Sequence, residues 1–240
     1  MNYQVRYAPG FFCWLMPPGI PYESAELMTF DAYLFDLDGT LLDTLPDLTA
    51  LTNEVLEEWG MPAHTAEEIS SYVGGGPRVL VKRAVPPDTP DDVVDALMAR
   101  WKELYPERGH EFTKPYAGVP ETLDALKARG ARLGVLSNKF DAATQLVIAE
   151  HFPDVFDIVR GEGPDIPRKP DPTGLTWMMA QLGIDAGRAV YVGDTGPDMT
   201  VARSAGAVPV GVSWGYRSVE VLREYGAQII INAAEELLDL

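Results

Sequence analysis

Cysteine is nearly absent from this 240-residue chain: Cys13 stands alone, so no intramolecular disulfide can form. One unpaired cysteine fits a reducing compartment, and a cytoplasmic protein is expected. Phe12 and Trp14 flank Cys13 and offer no positive charge to activate a thiolate, which argues against a catalytic thiol. Histidine is scarce too. His64, His110 and His151 lie in polar or helix-end contexts without metal-ligand spacing, so none is expected in catalysis. Basic residues are few: 19 Lys and Arg stand against 36 Asp and Glu, a formal net charge of −17. Such a chain repels nucleic acid and anionic membrane surfaces, which excludes both as partners. It also repels a phosphorylated substrate, so a phosphate site would need local positive charge from a metal, a few basic side chains or helix N-termini. Long apolar runs are missing as well. Phe11-Phe12-Cys13-Trp14-Leu15-Met16 is ended by Pro17-Pro18, far short of the roughly 20 residues a membrane span needs. Arg6 alone is a poor basic region for a signal peptide. Residues 1–28 are read as an extension outside the catalytic fold, with Met28 a second candidate start.

Hydrophobic residues at 46% and charged residues at 23% are ordinary for a globular protein. From Asp31 onward, short apolar runs alternate with amphipathic stretches. Ala32–Phe35, Arg132–Leu136, Ala189–Val192 and Val208–Val212 read as buried strands, with Val155–Val159 and Gln228–Ile231 weaker candidates. Helix-like segments lie between them; Val119, Leu123 and Leu126 share a face, and Gly130 suits the position after a helix end. This alternation predicts an α/β fold, a doubly wound parallel sheet covered on both faces. Residues 46–114 break the rhythm with three helical patterns and no convincing strand, which predicts an inserted α-helical cap in a core made of residues 29–45 and 115–240. Leu48, Leu51, Val55, Leu56 and Trp59 form the first stripe, Thr65 and Glu68 a capping box for the second, and Thr89-Pro90 the start of the third. The expected hinges are Thr44–Pro46 and Lys114–Tyr116.

Three of the apolar strands end in a polar side chain. Phe35 leads to Asp36, Leu136 to Ser137, and Val192-Gly193 to Asp194. Ligands of open parallel sheets bind beyond the carboxyl ends of the strands, so these residues should converge. An isolated Asp-x-Asp such as Asp36-Leu37-Asp38 is often a turn or an N-cap. With Asp194 and Asp198 on the same edge, four carboxylates would repel one another, each pair at 4 Å costing about 4 kcal/mol at an effective dielectric of 20. A divalent cation removes that cost, and hard oxygen donors suit magnesium. Lys169, held between Arg168 and Pro170, can present a point charge to a phosphate. Ser137-Asn138-Lys139 follows a strand, where the Ser137 hydroxyl and nearby amides could hold phosphate oxygens at a helix N-terminus.

Asp36-Leu37-Asp38-Gly39-Thr40, then Ser137, then Lys169-Pro170-Asp171, then Gly193-Asp194 with Asp198 resemble the four ordered motifs of the haloacid dehalogenase superfamily of phosphohydrolases. The resemblance covers residues 32–240. Leu41–Leu48 and Tyr72–Gly76 look like the phosphoglycolate phosphatase family within it. The resemblance implies that Asp36 is the nucleophile, Asp38 the acid and base, and Lys169 the phosphate-neutralising lysine. It implies Mg2+ held by the Asp36 side chain, the Asp38 backbone carbonyl and Asp194, with Asp198 in support. It places Gly39, Thr40, Ser137 and Asn138 around the phosphate. Superfamily members that dehalogenate lack an aspartate at the position of Asp38, so its presence favours phosphate ester hydrolysis. In the cap, Gly74-Gly75-Gly76 permits close approach or a flexible tip, and Arg78 is a candidate to pair with a substrate carboxylate. A loop with solvated basic residues explains that segment equally well. The expected partner is a small phosphorylated metabolite, 2-phosphoglycolate foremost, with the protein a monomer or homodimer. Phosphosugar mutase, inorganic pyrophosphatase and broad sugar-phosphate phosphatase use the same motifs and stay open.

Overall fold

The computed structural model describes residues 30–240; the expected extension at residues 1–28 lies outside them. Six strands, β1 (Ala32–Phe35), β4 (Arg132–Phe140), β5 (Ile158–Glu162), β6 (Ala189–Gly193), β7 (Val208–Val212) and β8 (Ile229–Ile231), form one sheet in the order β5-β4-β1-β6-β7-β8. Every pairing in it is parallel. The α/β expectation holds. Side chains alternate across the central strand β1: Tyr33 and Phe35 enter one apolar layer, Ala32 and Leu34 the other. The first layer is closed by α5 (Val119–Ala128) and α6 (Asp141–His151) through Leu123, Leu126, Val147 and Ile148. The second is closed by α7 (Thr173–Leu182) and α8 (Gly196–Ala205) through Leu175, Met178, Val201 and Ala202. Full burial of such aliphatic side chains contributes roughly 1.5–3 kcal/mol each, which holds both faces of the sheet shut. Because β4 and β6 flank β1 on opposite sides, chain order reverses there, and the strand ends at that switch point form a crevice.

Between β1 and α5 the chain leaves the sheet. Two short strands, β2 (Leu42–Asp43) and β3 (Lys114–Pro115), pair antiparallel, Leu42 with Pro115 and Asp43 with Lys114. Beyond this ribbon stand four helices: α1 (Leu45–Glu58), α2 (Ala66–Tyr72), α3 (Pro77–Ala84) and α4 (Asp91–Arg108). The fully buried Asp47 carboxylate ties the return of the chain by accepting from the Phe112 amide at 3.0 Å and the Thr113 hydroxyl at 2.7 Å. Trp101 fills the helical core and donates from Nε1 to Thr52 Oγ1 at 3.2 Å. Thr65 and Glu68 form the expected capping box of α2.

Three local expectations are corrected. Three helical patterns become four helices, because α3 is only eight residues long and opens on Gly-Pro, which reads as a loop; Leu80, Val81 and Ala84 nevertheless bury one face. Strand β4 runs on to Phe140, so Ser137, Asn138 and Lys139 belong to an irregular strand end and α6 begins only at Asp141. Strand β5 starts at Ile158 rather than Val155; it is an edge strand that carries Arg160 and Glu162, so its polarity hid it.

Candidate active site

Backbone pairing delivers the site. The Asp36 amide donates to Val192 O at 2.9 Å, which aligns the ends of β1 and β6. Asp36 and Asp194 therefore leave neighbouring strands side by side, and Asp198 reaches them from the first turn of α8. One oxygen from each of these three buried carboxylates lies within 4.8 Å of the other two. Lys169 Nζ is 2.7 Å from Asp36 Oδ1, 2.7 Å from Asp198 Oδ1 and 2.9 Å from Tyr191 Oη. The Tyr191 hydroxyl in turn donates to Leu136 O at 2.6 Å, fixing the phenol that positions the lysine.

Each carboxylate is held differently. Asp194 accepts from Thr40 Oγ1 at 3.1 Å and from the Tyr216 amide at 2.8 Å. Asp198 Oδ2 accepts from the Thr195 amide at 2.9 Å and the Thr195 hydroxyl at 2.5 Å, so both of its oxygens are engaged. Asp36 Oδ1 is buried and has only the ion pair with Lys169, whose approach is not aligned for a hydrogen bond. Burial pushes Asp36 up to about 7, with repulsion from Asp198 adding to it and Lys169 opposing it. Burial, then Asp198 and Asp36, raise Asp194 well above the ordinary carboxylate range. Burial alone would lower the pKa of Lys169, but Asp198 and then Asp36 raise it well above the usual lysine value. Three hard oxygen donors with an excess of negative charge and one oxygen free of hydrogen bonds fit a divalent cation such as magnesium.

The structure brings most of the expected residues to this edge. Gly39 sits at φ 85°, and a Cβ there would fall 2.4 Å from Asp194 Oδ2, so only glycine allows the turn to pass beside that carboxylate. Ser137 is buried and faces the same cavity as Asp36 and Asp38, and its Oγ accepts from the Lys139 amide at 3.2 Å. Thr40 supports Asp194 through its hydroxyl rather than facing the cavity. Asp38 stands apart from the three-carboxylate group, with Oδ1 3.0 Å from Lys139 Nζ. Asn138 is tied up by backbone: Oδ1 accepts from the Lys169 amide at 2.8 Å, and Nδ2 donates to Lys169 O at 3.1 Å and Gly74 O at 2.9 Å. Arg78 is not brought to the site. Its guanidinium is spent on Asp95 at 2.8 Å and Asp91 at 3.6 Å on the outer surface of the insert.

A cavity of about 40 Å³ lies between Asp36, Asp38, Ser137 and Lys139 of the core and Leu48, Val73, Leu80 and Trp101 of the insert. That exceeds the ~10–15 Å³ a cavity needs to hold one water.

Lys139 and Tyr191 were not singled out from sequence. Lys139 is buried, and burial alone would lower its pKa, but the Asp38 carboxylate and the Tyr105 ring raise it above the usual lysine value. Its ammonium lies 4.8 Å from that ring, which belongs to α4. Ser137 and Lys139 are two apart, the spacing that puts side chains on one face of a strand, but this becomes a signal only once β4 is known to run through both. The Trp214–Tyr216 turn borders the site, with Trp214 Nε1 donating to Thr40 O at 3.1 Å and Tyr216 Oη 3.0 Å from Thr44 Oγ1.

Comparison with known proteins gives the family. A family profile described as Haloacid dehalogenase-like hydrolase matches residues 33–212. A phosphoglycolate phosphatase of Vibrio parahaemolyticus is 31% identical over 213 residues, spanning 86% of this chain and 93% of that protein. Phosphoglycolate phosphatase 1 of Pseudomonas aeruginosa is 32% identical over 212 residues, spanning 85% and 77%. Among solved structures, a candidate phosphoglycolate phosphatase from Lactobacillus delbrueckii superposes with a TM-score of 0.83 at 32% identity, covering 87% of this chain and 97% of its own.

Proposed function

Because the chain belongs to the haloacid dehalogenase-like hydrolase family, we propose that it is a cytoplasmic, magnesium-dependent phosphomonoesterase whose substrate is 2-phosphoglycolate. The observation that carries this reading is the meeting of Asp36, Asp194, Asp198 and Lys169 on one sheet edge, two of them paired to the lysine at 2.7 Å. The relatives' names supply the substrate.

In this reading an Asp36 oxygen attacks phosphorus as the bond to the glycolate oxygen breaks, leaving an aspartyl-phosphate. A carboxylate is a weak nucleophile, and it serves here because it is held in place beside a compensating lysine. Asp38 gives its proton to the departing alkoxide. It then takes a proton from the water that attacks the aspartyl-phosphate, freeing phosphate and Asp36. Lys139, at 3.0 Å, keeps the Asp38 carboxyl turned into the cavity that both residues line. Lys169 and the Ser137 hydroxyl steady the phosphoryl oxygens. Mg2+, bound by the side chains of Asp36 and Asp194 and the backbone carbonyl of Asp38 with Asp198 in support, would supply positive charge that offsets the carboxylates and the phosphate.

Residues 46–114 act as a cap over the core made of residues 29–45 and 115–240. The cavity between core and insert supports this: lifting of the helices on the β2–β3 ribbon would widen the way to Asp36 for a phosphate ester, and their return would exclude water. Among the described residues no helix is long and apolar enough to cross a membrane.

A phosphate-release screen over small phosphate esters, with Mg2+ and with EDTA, tests the proposal. Release from 2-phosphoglycolate that EDTA abolishes is expected; release indifferent to EDTA would sink the metal assignment. Conversion of β-glucose 1-phosphate to glucose 6-phosphate without free phosphate would replace the hydrolase by a mutase.

A further inference from the structure

The Gly74-Gly75-Gly76 run is gripped by the core at consecutive carbonyls. Arg217, in the segment after β7, donates from NH2 to Val73 O at 2.8 Å. Asn138, on β4, donates from Nδ2 to Gly74 O at 2.9 Å. Arg168, beside the proposed phosphate lysine, donates from NH1 to Gly75 O at 2.8 Å. Three separate core segments thus take three successive carbonyls of one helix-to-helix tip. Arg217 also reaches Ser70 O at 2.9 Å and Ser71 O at 3.2 Å. These carbonyls end α2, which has no basic residue in its own last turn. A cation there adds a donor to the last carbonyls of the helix and complements its dipole. Within the insert, Arg83 adds only longer contacts of 3.4 Å to Ser71 O and Tyr72 O. The glycines permit the fit. Gly74 and Gly76 sit at φ 109° and 84°, and a Cβ on Gly76 would lie 2.9 Å from Asn138 O and 3.0 Å from Glu162 Oε2.

Asn138 has a second attachment. Its Oδ1 accepts from the Lys169 amide and its Nδ2 donates to the Lys169 carbonyl, so one side-chain amide holds both backbone groups of that lysine and the tip as well. Both of its amide hydrogens are used, which leaves none for a substrate. We propose that Asn138, Arg168 and Arg217 are positioning residues that latch the Val73–Gly76 tip over the carboxylate edge, and that Asn138 transmits the seating of the tip to Lys169. The catalytic consequence rests on the phosphatase reading above; the latch itself does not.

The test is hydrogen–deuterium exchange by mass spectrometry on the full chain with Mg2+, alongside turnover of 2-phosphoglycolate. Arg217→Met is made first, because this residue touches neither Asp36 nor Lys169 and its loss leaves the core packing in place. It should speed exchange about tenfold in the peptide covering residues 73–80, and to a smaller degree in the peptide containing Lys169, with kcat falling more than KM changes. Arg217→Lys should restore part of both. Asn138→Leu should reverse the order, loosening the Lys169 peptide most. An Arg217→Met protein whose tip exchanges like wild type overturns the latch. A loosened tip with unchanged Lys169 exchange and unchanged kcat overturns the transmission through Asn138. If wild type releases no phosphate from 2-phosphoglycolate while the exchange pattern holds, the functional reading fails and the latch stands.

Discussion

The carboxylate edge and the helical insert face each other across one small cavity, yet they are built on different physical terms. At the edge, Asp36, Asp194, Asp198 and Lys169 are buried charges whose positions are dictated by strand pairing and by one another. Removing Lys169 leaves the excess of negative charge uncompensated in a low-dielectric place, so the edge tolerates little there. The insert is held by apolar packing around Trp101 and Leu97, by surface ion pairs such as Arg100 with Glu58, and by donors from the core to its backbone carbonyls. Backbone carbonyls of the glycine tip make no demand on the side chains of the helices on either side of it. A lid gripped in that way can change its lining without losing its seat. Under the proposed function, the first construction would fix the chemistry and the second would leave access adaptable.

The largest expected effect separates the two regions outright. Asp36→Asn, nearly isosteric, should lower kcat on 2-phosphoglycolate by more than about 10³-fold while circular dichroism and melting stay close to wild type. Normal turnover by this variant would remove the nucleophile from the edge. Asp38→Asn comes next, with a loss of about 10²–10⁴-fold from missing acid and base catalysis. Lys139→Met should follow it with a smaller loss, read in the same kinetics; a Lys139→Met enzyme at wild-type rate would dissociate this lysine from Asp38.

Third is the coupling of metal, pH and stability. In the folded metal-free chain Asp36 is pushed up to about 7, and Asp194 is raised in the same direction. The unfolded carboxyl titrates near ~3.9. Between these values the folded state holds protons that the unfolded state has released, so stability falls as pH rises from about 4 to about 7. Magnesium needs the deprotonated carboxylates, and near saturation its binding should lift the melting temperature at pH 8 by about 5–10 °C and far less at pH 5. Equal shifts at both pH values would contradict a site made of these carboxylates.

The insert is sharpened by stability rather than chemistry. Trp101→Ala empties a fully enclosed position and should cost about 3–5 kcal/mol, read by denaturant titration, with the insert helices losing exchange protection before the sheet does. Smallest of all, Arg78→Ala should leave KM for 2-phosphoglycolate within about twofold, because its guanidinium faces Asp91 and Asp95 at the surface. A tenfold rise in KM would restore Arg78 to the substrate.

This contrast also governs what could be read before the structure. The edge was legible because buried parallel strands are continuous apolar runs, so a polar residue ending one announces itself; Asp36, Ser137 and Asp194 do so. Thr65 and Glu68 were legible because a capping box is a local pattern. Lys139 was passed over because a lysine beside a loop reads as solvated, and nothing local revealed that β4 continues through it. Arg78 was misplaced for the opposite reason. It follows a glycine-rich tip that does reach the site, but α3 turns its side chain outward onto α4. The partners of that tip, Asn138, Arg168 and Arg217, lie 64 to 144 residues away in the chain, beyond any local pattern.

The central claim is that Asp36 itself receives the phosphoryl group. Enzyme mixed with 2-phosphoglycolate and Mg2+, quenched in acid within milliseconds and digested, should yield the peptide containing Asp36 heavier by one phosphoryl group, and Asp36→Asn should yield none. A phosphoryl group on any other residue, or steady turnover by Asp36→Asn, would contradict the account.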